Sequence, residues 1–526
     1  MDNQIYTLYF FSFLVSFSSQ NYYLGTQLMK SRFEKYANLI LPAWQGYNRI
    51  KSNLISYPAS NADFTALDKK SMRAYNSIRY HGAKSMFCYN PFVNLFFDTD
   101  GKAVACCRSH DYILGTYPEQ NISDIWFGKK AEKMREYLRH NDLSMGCAYC
   151  ENQVHSGRFQ GLPSMHADKY AHSKSGMFPK IMELELSNRC NLECLMCSGR
   201  ESSKIRENRE NKPPLKQMYD AEFVHQLESF IPHLKEMHFY GGEPFLIEIY
   251  YDIWEAVKRI KPQLQLHAVT NGTVLNHRIE NLMKALRFRL SVSLDSLNKE
   301  NFENIRKGAD FDQVMRNTDK FAELSSDSLV ISHTPITLNK TETAAIVRFC
   351  NDHDYRLNLS FVEQPAAYAI WALMPEELNE LLDLYEKDAA DLKNTTLAAR
   401  YNNKLFREWI EQVRFFRNRN RDILNKADEE LPDQESLMIQ LKAILEEASS
   451  MQVVKLNPES VFNAVQEEMA AAGHSVIARN ALKSMLDSYN NAGNAKLVEL
   501  GHITREDVRE IVTNMLHPYD FFENRV

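Results

Sequence analysis

The sequence lacks the features of a repetitive, biased or strongly basic chain. We find no internal repeat and no low-complexity tract, which excludes a repeat array and a chain of biased composition. Lysine and arginine total 62 against 68 acidic residues, and the net charge of −6 argues against bulk nucleic-acid binding while leaving room for a local basic groove. What remains is an ordinary globular balance, 44% hydrophobic and 25% charged, over 526 residues, so several modules and a large core are expected.

An apolar run long enough to span a membrane is missing at the N-terminus. Residues 5–17 are apolar and aromatic, but they are too few to cross a bilayer, and Asp2 stands where a signal peptide has a basic flank. We therefore expect a packed or disordered leader, no membrane partner and a cytoplasmic protein. A natural beginning at Met29 is a further hypothesis.

The cysteines are few but clustered. Eight of the nine lie between Cys88 and Cys197, and the ninth is Cys350. A chain of this length has no need of disulfides, so clustered cysteines indicate metal ligands in a reducing compartment.

Three of these cysteines form a C-x3-C-x2-C loop. Cys190, Cys194 and Cys197 directly follow an alternating, strand-like run at 181–186. Three thiolates on one loop can hold three corners of an iron–sulfur cube and leave the fourth iron open, whereas structural metal sites usually take four protein ligands. A reduced zinc loop and three unrelated core cysteines are the alternatives.

A second cysteine group precedes this loop. An Asp-Gly turn between two β-prone runs predicts a hairpin that brings Cys106 back towards Cys88, and a C-x2-C pair, Cys147 and Cys150, follows a predicted helix with Ser123 as its N-cap. Four thiolates can fully ligate one iron–sulfur cluster, although a four-cysteine zinc knuckle uses the same number of ligands.

Six β-prone runs alternate with helical stretches between 179 and 365. Such alternation predicts an α/β fold with a parallel sheet and functional loops at the carboxyl ends of its strands. Six repeats fit an incomplete (β/α)6 TIM-like barrel better than a closed eight-fold one. The runs are Ile181–Leu186, Glu236–Tyr240, Gln263–Val269, Arg289–Leu294, Leu329–Ile336 and Arg356–Val362.

Polar residues follow several of these strands. Two glycines, Gly241 and Gly242, let the backbone approach a ligand closely, and Glu243 can accept a hydrogen bond from an ammonium group. Taken singly, Glu243 could be a surface acid and Arg306 a solvated helix charge. The motif residues are Gly241, Gly242, Glu243 and Pro244 after the second strand, Asn271 after the third, Ser293 at the end of the fourth, Arg306 downstream in a predicted helix, and Asn339, a candidate lining residue, after the fifth.

The cysteine loop and these strand-end motifs together resemble the radical S-adenosylmethionine (radical SAM) superfamily. Met196 stands where that family usually has an aromatic residue. The resemblance implies a SAM-binding 4Fe–4S cluster on the three loop cysteines, which are also the catalytic residues. It further implies that the Gly-Gly-Glu-Pro motif binds the amino group of S-adenosylmethionine, and that Ser293 and Arg306 help to hold its carboxylate and ribose. The turn at Asn271 recurs in the family at the same place.

The segment that precedes the barrel resembles the SPASM or twitch module of many radical SAM enzymes. The matching features are Cys88, the Gly101-x4-Cys106 step, the helix start near Ser123 and the final C-x2-C. The resemblance implies a second, auxiliary 4Fe–4S cluster on Cys88, Cys106, Cys147 and Cys150, and it favours Cys106 over Cys107, whose side chain would point to the other face of the strand. Such modules more often follow the barrel than precede it.

The remainder of the chain is predicted to be helical. Proline in a first turn and acids near it indicate a helix start at Pro375, and similar signals occur at Pro458 and Thr504. Six arginines between 400 and 421 indicate a solvated face, or alternatively a grip on an acidic partner. The expected domains are 1–83, a partly helical leader; 84–178, the auxiliary module; 179–365, the partial barrel; and 366–526, a helical region.

The resemblance implies a reaction but names no substrate. One electron passed into the sulfonium gives methionine and a 5′-deoxyadenosyl radical, which takes hydrogen from the substrate, while the protein positions both partners and excludes water. We expect oxidative modification of a peptide or protein, with a flavodoxin- or ferredoxin-type electron donor and no nucleic-acid partner. A small-molecule substrate, such as a sugar or nucleoside, and a non-catalytic zinc scaffold are the alternatives.

Overall fold

The computed structural model describes residues 63–79, 81–155, 162–171, 178–325, 329–362, 365–430 and 434–450, with isolated positions at 51, 52, 55, 57, 59, 60, 159, 463 and 466. The apolar run at 5–17, the alternative start at Met29 and the helix signals at Pro458 and Thr504 lie outside the described residues, whereas the helix Lys69–Ile78 falls within the predicted leader at 1–83. The chain divides into two compact units, residues 1–56 with 73–84 and residues 57–72 with 85–526. Both cysteine groups and the whole sheet belong to the second unit.

One nine-stranded sheet organises the second unit. Its strand order is β3-β2-β1-β4-β5-β6-β7-β8-β9, in which β1 and β4 to β9 are parallel and β2 and β3 are antiparallel to their neighbours. The strands are β1 Asn94–Phe97, β2 Lys102–Val104, β3 Gly115–Thr116, β4 Ile181–Leu184, β5 Glu236–Phe239, β6 Gln265–Thr270, β7 Arg287–Ser293, β8 Val330–His333 and β9 Arg356–Leu359.

The six predicted strands of the barrel are confirmed as β4 to β9, with boundaries shorter or shifted by a few residues. Helices alternate with them along the chain, which confirms the α/β partial-barrel class. The helices are Lys69–Ile78, Asn90–Val93, Ile122–Trp126, Lys129–Arg139, Ala148–His155, Ser164–Ala167, Ser203–Asn208, Ala221–Glu228, Glu248–Ile260, His277–Ala285, Lys299–Ile305, Phe311–Leu324, Thr343–Asp352, Pro375–Asp391, Leu397–Glu430 and Gln434–Ser450, and short 3-10 turns occupy Asp168–Tyr170, Ile231–His233, Pro244–Leu246, Lys340–Glu342, Ala366–Tyr368 and Ile370–Ala372.

The predicted hairpin is also confirmed, as β1 and β2. What the sequence did not indicate is that this hairpin is part of the barrel sheet. Along its whole length β1 pairs in parallel with β4, the strand that leads into the cysteine loop, from Asn94 opposite Ile181 to Phe97 opposite Leu184. The auxiliary segment therefore extends the sheet by three strands.

The two faces of the sheet differ in chemistry. Phe239 of β5 packs against Tyr250 and Trp254 of the helix Glu248–Ile260, and Trp254 also contacts Phe288 of β7. Since side chains alternate along a strand, the neighbouring residues of β5 and β6 point to the opposite face, which we call the inner face. Charged and polar residues line this inner face. The apolar core therefore lies on the other face, between the sheet and its helices.

Two local predictions about helix ends had different outcomes. The helix at Pro375 begins as predicted, with the proline in its first turn. The predicted N-cap at Ser123 is wrong, because the helix already begins at Ile122 and Asn121 occupies the N-cap position. The Asn121 side chain instead accepts a hydrogen bond from Gln226.

The arginine-rich helix Leu397–Glu430 uses several of its arginines within the chain. Arg414 pairs with Glu386 at 2.5 Å, Arg417 donates to Asn379 at 2.9 Å, and Arg419 donates to the carbonyl of Trp371 at 3.0 Å. These contacts hold the helix against the preceding helix and the turn at Trp371. The three arginines are therefore engaged within the chain, which differs from both expectations, a solvated face and a grip on an acidic partner.

The same helix covers the sheet edge at β9. Asn402 is fully buried, accepts a hydrogen bond from the Leu357 amide and donates to the Tyr355 carbonyl. It thereby satisfies backbone groups that an edge strand otherwise leaves unpaired. Among the residues that the structure describes, no helix is both long enough and apolar enough to cross a membrane.

Candidate active site

The cysteine loop leaves the carboxyl end of β4 and is fixed by hydrogen bonds to its surroundings. Ser203 accepts a hydrogen bond from the Cys190 amide at 3.1 Å and donates to the Cys190 carbonyl at 3.2 Å. Further along the loop, the Leu195 amide donates to the Ile305 carbonyl at 3.0 Å and the Cys197 amide to the Cys194 carbonyl at 3.2 Å. These bonds hold the loop in one conformation without using any of its thiols.

The three loop thiols converge. The Cys197 thiol hydrogen-bonds to Cys194, which lowers the pKa of Cys194 to about 7 and raises that of Cys197. Burial raises the pKa of Cys190, and the neighbouring Cys194 and Glu243 raise it further. Three sulfurs that interact electrostatically on one loop form a donor set that fits an iron–sulfur cube with one iron left for another ligand.

The Gly-Gly-Glu-Pro loop after β5 packs directly on the cysteine loop. The Gly242 amide donates to the Ser187 carbonyl at 3.0 Å, and the Glu243 amide donates to the Arg189 carbonyl at 2.8 Å. Gly241 has a φ of +94°, and a Cβ added to Gly242 would lie 2.3 Å from the Arg189 carbonyl oxygen. The close backbone approach that glycine permits is therefore made here to the cysteine loop.

Glu243 has a fully buried side chain next to this contact. Its carboxylate accepts hydrogen bonds from the Thr270 hydroxyl at 2.8 Å, the Asn271 amide at 2.7 Å and the Phe245 amide at 3.1 Å. Burial raises the pKa of Glu243 to about 7 despite these bonds. Since the three donors are neutral, a cationic ligand group beside Glu243 would stabilise the ionised form.

The turn after β6 connects Glu243 to the first cysteine. The Asn271 side chain donates to Asn191 at 2.9 Å and lies 3.9 Å from the Cys190 sulfur, and its oxygen accepts from the Thr273 amide and hydroxyl. Asn271 thus touches the cysteine loop through its side chain and Glu243 through its main chain. The sequence marks Asn271 as a strand-end motif residue, and the structure brings it against both the cysteine loop and Glu243.

Arg306 lies close to Cys194, the second cysteine of the loop, and pairs with Asp295, a residue that the sequence did not indicate as its partner. Its Nε lies 2.7 Å from Oδ2 of Asp295, and its Nη1 lies 3.9 Å from the Cys194 sulfur. Asp295 is fully buried, and its other oxygen accepts from the Thr334 amide at 2.9 Å. The carboxylate, together with the Cys194 and Cys197 sulfurs, raises the pKa of Arg306 against the effect of burial. Arg306 also follows the helix Lys299–Ile305 as its C-cap and is not inside it.

Two further predicted residues differ in their surroundings. Ser293 ends β7 on the same face as Ser291, which hydrogen-bonds to Ser332 on the adjacent strand at 2.8 Å. The prediction that Asn339 lines the site is wrong, because its fully buried amide bonds only to main-chain groups, those of Asp295, Thr334 and Ile336. Asn339 shapes the loop after β8 instead.

The second cysteine group comes together at the other end of the sheet. Cys88 precedes β1, and Cys106 follows β2, which runs antiparallel to β1, so both lie near the amino end of the parallel strands. Burial raises the pKa values of Cys106, Cys147 and Cys150, and Cys88 raises each of them further. Since four thiols interact in this way, they can serve as one ligand set.

Cys106 and Cys107 have different neighbours. Cys106 interacts with both Cys88 and Cys150. Cys107 is the more exposed of the two residues. Burial of its thiol, together with the carboxylates of Glu183 and Glu185, raises its pKa to about 11. Cys107 also contributes to raising the pKa of Cys150. A cation–π contact of Arg108 with the ring of Tyr149, at 4.6 Å, joins this turn to the C-x2-C segment.

Replacement of Gly242 by alanine tests the contact between the two loops. Because the added Cβ would meet the carbonyl oxygens of Arg189 and Asn188 at 2.3 and 2.6 Å, the cysteine loop must shift. We expect Gly242→Ala to lose at least half of the iron bound at this loop after anaerobic reconstitution. Gly115→Ala in β3 is the control, since its Cβ meets only side-chain atoms of Gln120 and Ile125. Equal iron in both variants would contradict the importance of the contact.

Two family models match this chain. Residues 184–350 match the radical SAM superfamily, and residues 88–151 match SPASM, an iron–sulfur cluster-binding domain. The first match contains the cysteine loop, the Gly-Gly-Glu-Pro loop and Arg306, and the second contains the four cysteines of the auxiliary group. The first domain implies a 4Fe–4S cluster with S-adenosylmethionine, and the second implies an auxiliary iron–sulfur cluster.

Several curated proteins are similar to part of the chain. A probable GTP 3′,8-cyclase of Methanocaldococcus jannaschii is 27% identical over 183 residues, which are 34% of this chain and 57% of that protein. A GTP 3′,8-cyclase of Clostridium botulinum is 24% identical over 200 residues, 36% of this chain and 58% of that protein. The chain therefore spans a little over half the length of these relatives.

Solved structures are similar to part of the chain. One, anSMEcpe with bound AdoMet, is 19% identical with a TM-score of 0.32 and covers 41% of this chain and 61% of its own. Another, Streptococcus suis SuiB bound to the precursor peptide SuiA, is 14% identical with a TM-score of 0.31 and covers 47% of this chain and 60% of its own.

The family matches fall on the two cysteine groups that the sheet places at its opposite ends. The radical SAM match runs from the end of β4 into the helix Thr343–Asp352 and contains all three loop cysteines, the glycine motif, Asn271 and Ser293. Residues 184–350 thus form a radical SAM domain, and a SPASM domain at residues 88–151 precedes it.

Proposed function

We propose that the protein is a radical SAM enzyme that oxidatively modifies a peptide or protein side chain. The observation that carries the proposal is the convergence of three thiols on a loop whose backbone is bonded to the loop bearing Glu243. Cys190, Cys194 and Cys197 would hold a 4Fe–4S cluster with one iron open. When bound, this cluster and S-adenosylmethionine supply a 5′-deoxyadenosyl radical.

The residues around the loop have distinct tasks in this proposal. Glu243 accepts a hydrogen bond from the ammonium group of S-adenosylmethionine. This group provides a positive charge, which the three neutral donors to Glu243 do not provide. Arg306 is held by Asp295 beside Cys194, where its charge can bind the carboxylate, and Ser293 extends this binding towards the ribose. Asn271 fixes the turn that positions Glu243. Burial of Glu243 and Asp295 keeps bulk water away from these groups.

The auxiliary cysteines make an oxidation the favoured outcome. Cys88, Cys106, Cys147 and Cys150 would complete the ligand set of a second cluster, which then has no open iron for substrate. The two cysteine groups lie at opposite ends of the β1–β4 pair, and its four residues span about 13 Å, at ~3.3 Å for each residue. A substrate on the inner face would lie between the radical source and an electron acceptor. Modules of this kind frequently accompany peptide-modifying enzymes, which supports a peptide or protein substrate.

A nucleotide substrate is the second candidate. The curated relatives carry the name GTP 3′,8-cyclase, and they match the chain at 24 to 27% identity. This similarity favours a small molecule that contains a ribose, and it competes directly with the peptide proposal.

Removal of one loop cysteine tests the enzymatic proposal. We expect Cys194→Ala to abolish 5′-deoxyadenosine formation from S-adenosylmethionine with dithionite, because the cluster loses one of three ligands. Cys350→Ala is the control, since Cys350 is fully buried in the helix Thr343–Asp352, away from both cysteine groups. Liquid chromatography of the anaerobic reaction measures the product. Absence of 5′-deoxyadenosine from the wild-type protein with a full iron complement would favour a scaffold role.

Separate replacement of the two adjacent cysteines tests the auxiliary ligand set. We expect about eight irons for each reconstituted wild-type chain if both sites hold 4Fe–4S cubes. Cys106→Ala should lose about half of this iron, whereas Cys107→Ala should keep it. Iron loss in Cys107→Ala alone would make Cys107 the ligand in place of Cys106. Zinc bound at this group would rule out the electron-acceptor step.

Substrate class can be tested with peptides encoded next to this gene. The reconstituted enzyme should increase 5′-deoxyadenosine formation when such a peptide is added, and the peptide should lose two hydrogen atoms in an oxidation. Mass spectrometry reads both products. Stimulation by GTP, with no change in the peptide, would replace the peptide proposal with the nucleotide one.

A further inference from the structure

A cluster of two histidines and a glutamate lies on the inner face, and neither cysteine group uses it. Glu236 and His238 are two residues apart on β5 and share a face, and His267 of β6 stands directly opposite His238 in the parallel register. One ligand atom from each residue lies within 4.8 Å of the others. Neighbouring strands therefore present a carboxylate and two imidazoles to one point.

The distances between these atoms suit a small divalent ion. Oε2 of Glu236 lies 3.1 Å from Nε2 of His238 and 3.8 Å from Nε2 of His267. Zinc bonds of about 2.0–2.1 Å in a tetrahedral site place neighbouring ligand atoms roughly 3.3 Å apart. These two separations bracket that spacing, so small side-chain adjustments would let the three groups share an ion.

His267 supplies an observation that points to a missing ligand. Its Nε2 is buried and has no hydrogen-bond partner among the residues that the structure describes. A neutral imidazole can offer the lone pair of such a ring nitrogen to a metal ion. A buried polar atom without a partner costs free energy unless something binds it.

The other side of the cluster is already arranged as an outer shell. Nδ1 of His238 lies 3.0 Å from the Tyr240 hydroxyl, which fixes the ring so that Nε2 points at Glu236. Oε1 of Glu236 is held by Lys169 at 2.6 Å and by the Tyr170 hydroxyl at 2.9 Å, while Oε2 faces the histidines. Metal-binding histidines and carboxylates usually have such second partners.

We propose that Glu236, His238 and His267 form a binding site for a divalent transition-metal ion, separate from both iron–sulfur sites. Two nitrogens and one oxygen suit Zn²⁺ and related ions. Three protein ligands leave a position open, and on the inner face that position can take an oxygen atom of a substrate. The last step rests on the proposed function, whereas metal binding itself does not.

Zinc uptake by the fully reconstituted holoenzyme tests the site, because the seven cysteine thiols assigned to the clusters are then occupied. After equimolar Zn²⁺ and removal of free ion, we expect about one zinc for each wild-type chain, with iron unchanged, by plasma mass spectrometry. His267→Ala and His238→Ala should each weaken zinc binding at least tenfold in competition with a chromophoric chelator. His267→Asn is the more conservative variant should the alanine variants fold poorly.

Two variants distinguish a metal site from a hydrogen-bonded ion pair. His277→Ala is the matched control, because its side chain is 97% exposed and it should not change zinc binding. Lys169→Met should weaken zinc binding, since it removes one of the two partners that hold Oε1 of Glu236. If the cluster is only an ion pair, the wild-type holoenzyme will bind no more zinc than His267→Ala, and the proposal is overturned. Formation of 5′-deoxyadenosine without substrate should persist in the histidine variants. Its absence from the wild-type protein would count against the proposed function alone, because zinc binding does not depend on it.

Discussion

The main-chain contact between the cysteine loop and the Gly-Gly-Glu-Pro loop is the constraint on which the site depends. Two amide–carbonyl hydrogen bonds join the loops, and the contact is close enough that even one methyl group at Gly242 would collide with backbone. The thiols and the Glu243 carboxylate therefore keep a fixed relation, because each is attached to one side of this contact. A site built from side-chain contacts alone would allow more variation in that relation.

Buried charge is distributed around this contact in a consistent way. Glu243 is surrounded by neutral donors, and Arg306 is neutralised by Asp295 while still reaching the Cys194 sulfur. Within the part of the chain that the structure describes, Glu243 forms no ion pair, whereas the nearby Arg306 is paired with Asp295. The ammonium group of a ligand would complement Glu243 in this arrangement, and S-adenosylmethionine, the cofactor implied by the radical SAM domain, carries such a group.

Much of the fold could be predicted from the sequence because it depends on local periodicity. Alternation of strand and helix patterns predicted β4 to β9, and the Asp-Gly turn predicted the hairpin of β1 and β2. The motif residues near the cysteine loop were found because their order along the chain follows the order of the strands. The assignment of ligand roles to these residues stays a prediction.

What could not be predicted depends on contacts between distant segments. The pairing of Asp295 with Arg306 has no local signal, and an asparagine such as Asn339 looks alike whether it faces a ligand or a buried carbonyl. The N-cap prediction at Ser123 was wrong because the helix begins at Ile122, whose amide donates to the side chain of Gln226 in a distant helix. Likewise, the histidines of β5 and β6 meet only because the parallel register sets His238 opposite His267.

The pairing of β1 with β4 has a consequence for how the chain assembles. During synthesis the hairpin leaves the ribosome with one side of β1 still open, and its permanent neighbour is translated roughly ninety residues later, a delay on the order of 4–18 s at ordinary elongation rates. An open β edge that waits this long invites wrong pairing with other chains. The hairpin of β1 and β2 is thus exposed to such pairing until β4 is made, and a truncated product that ends before β4 would be prone to aggregate.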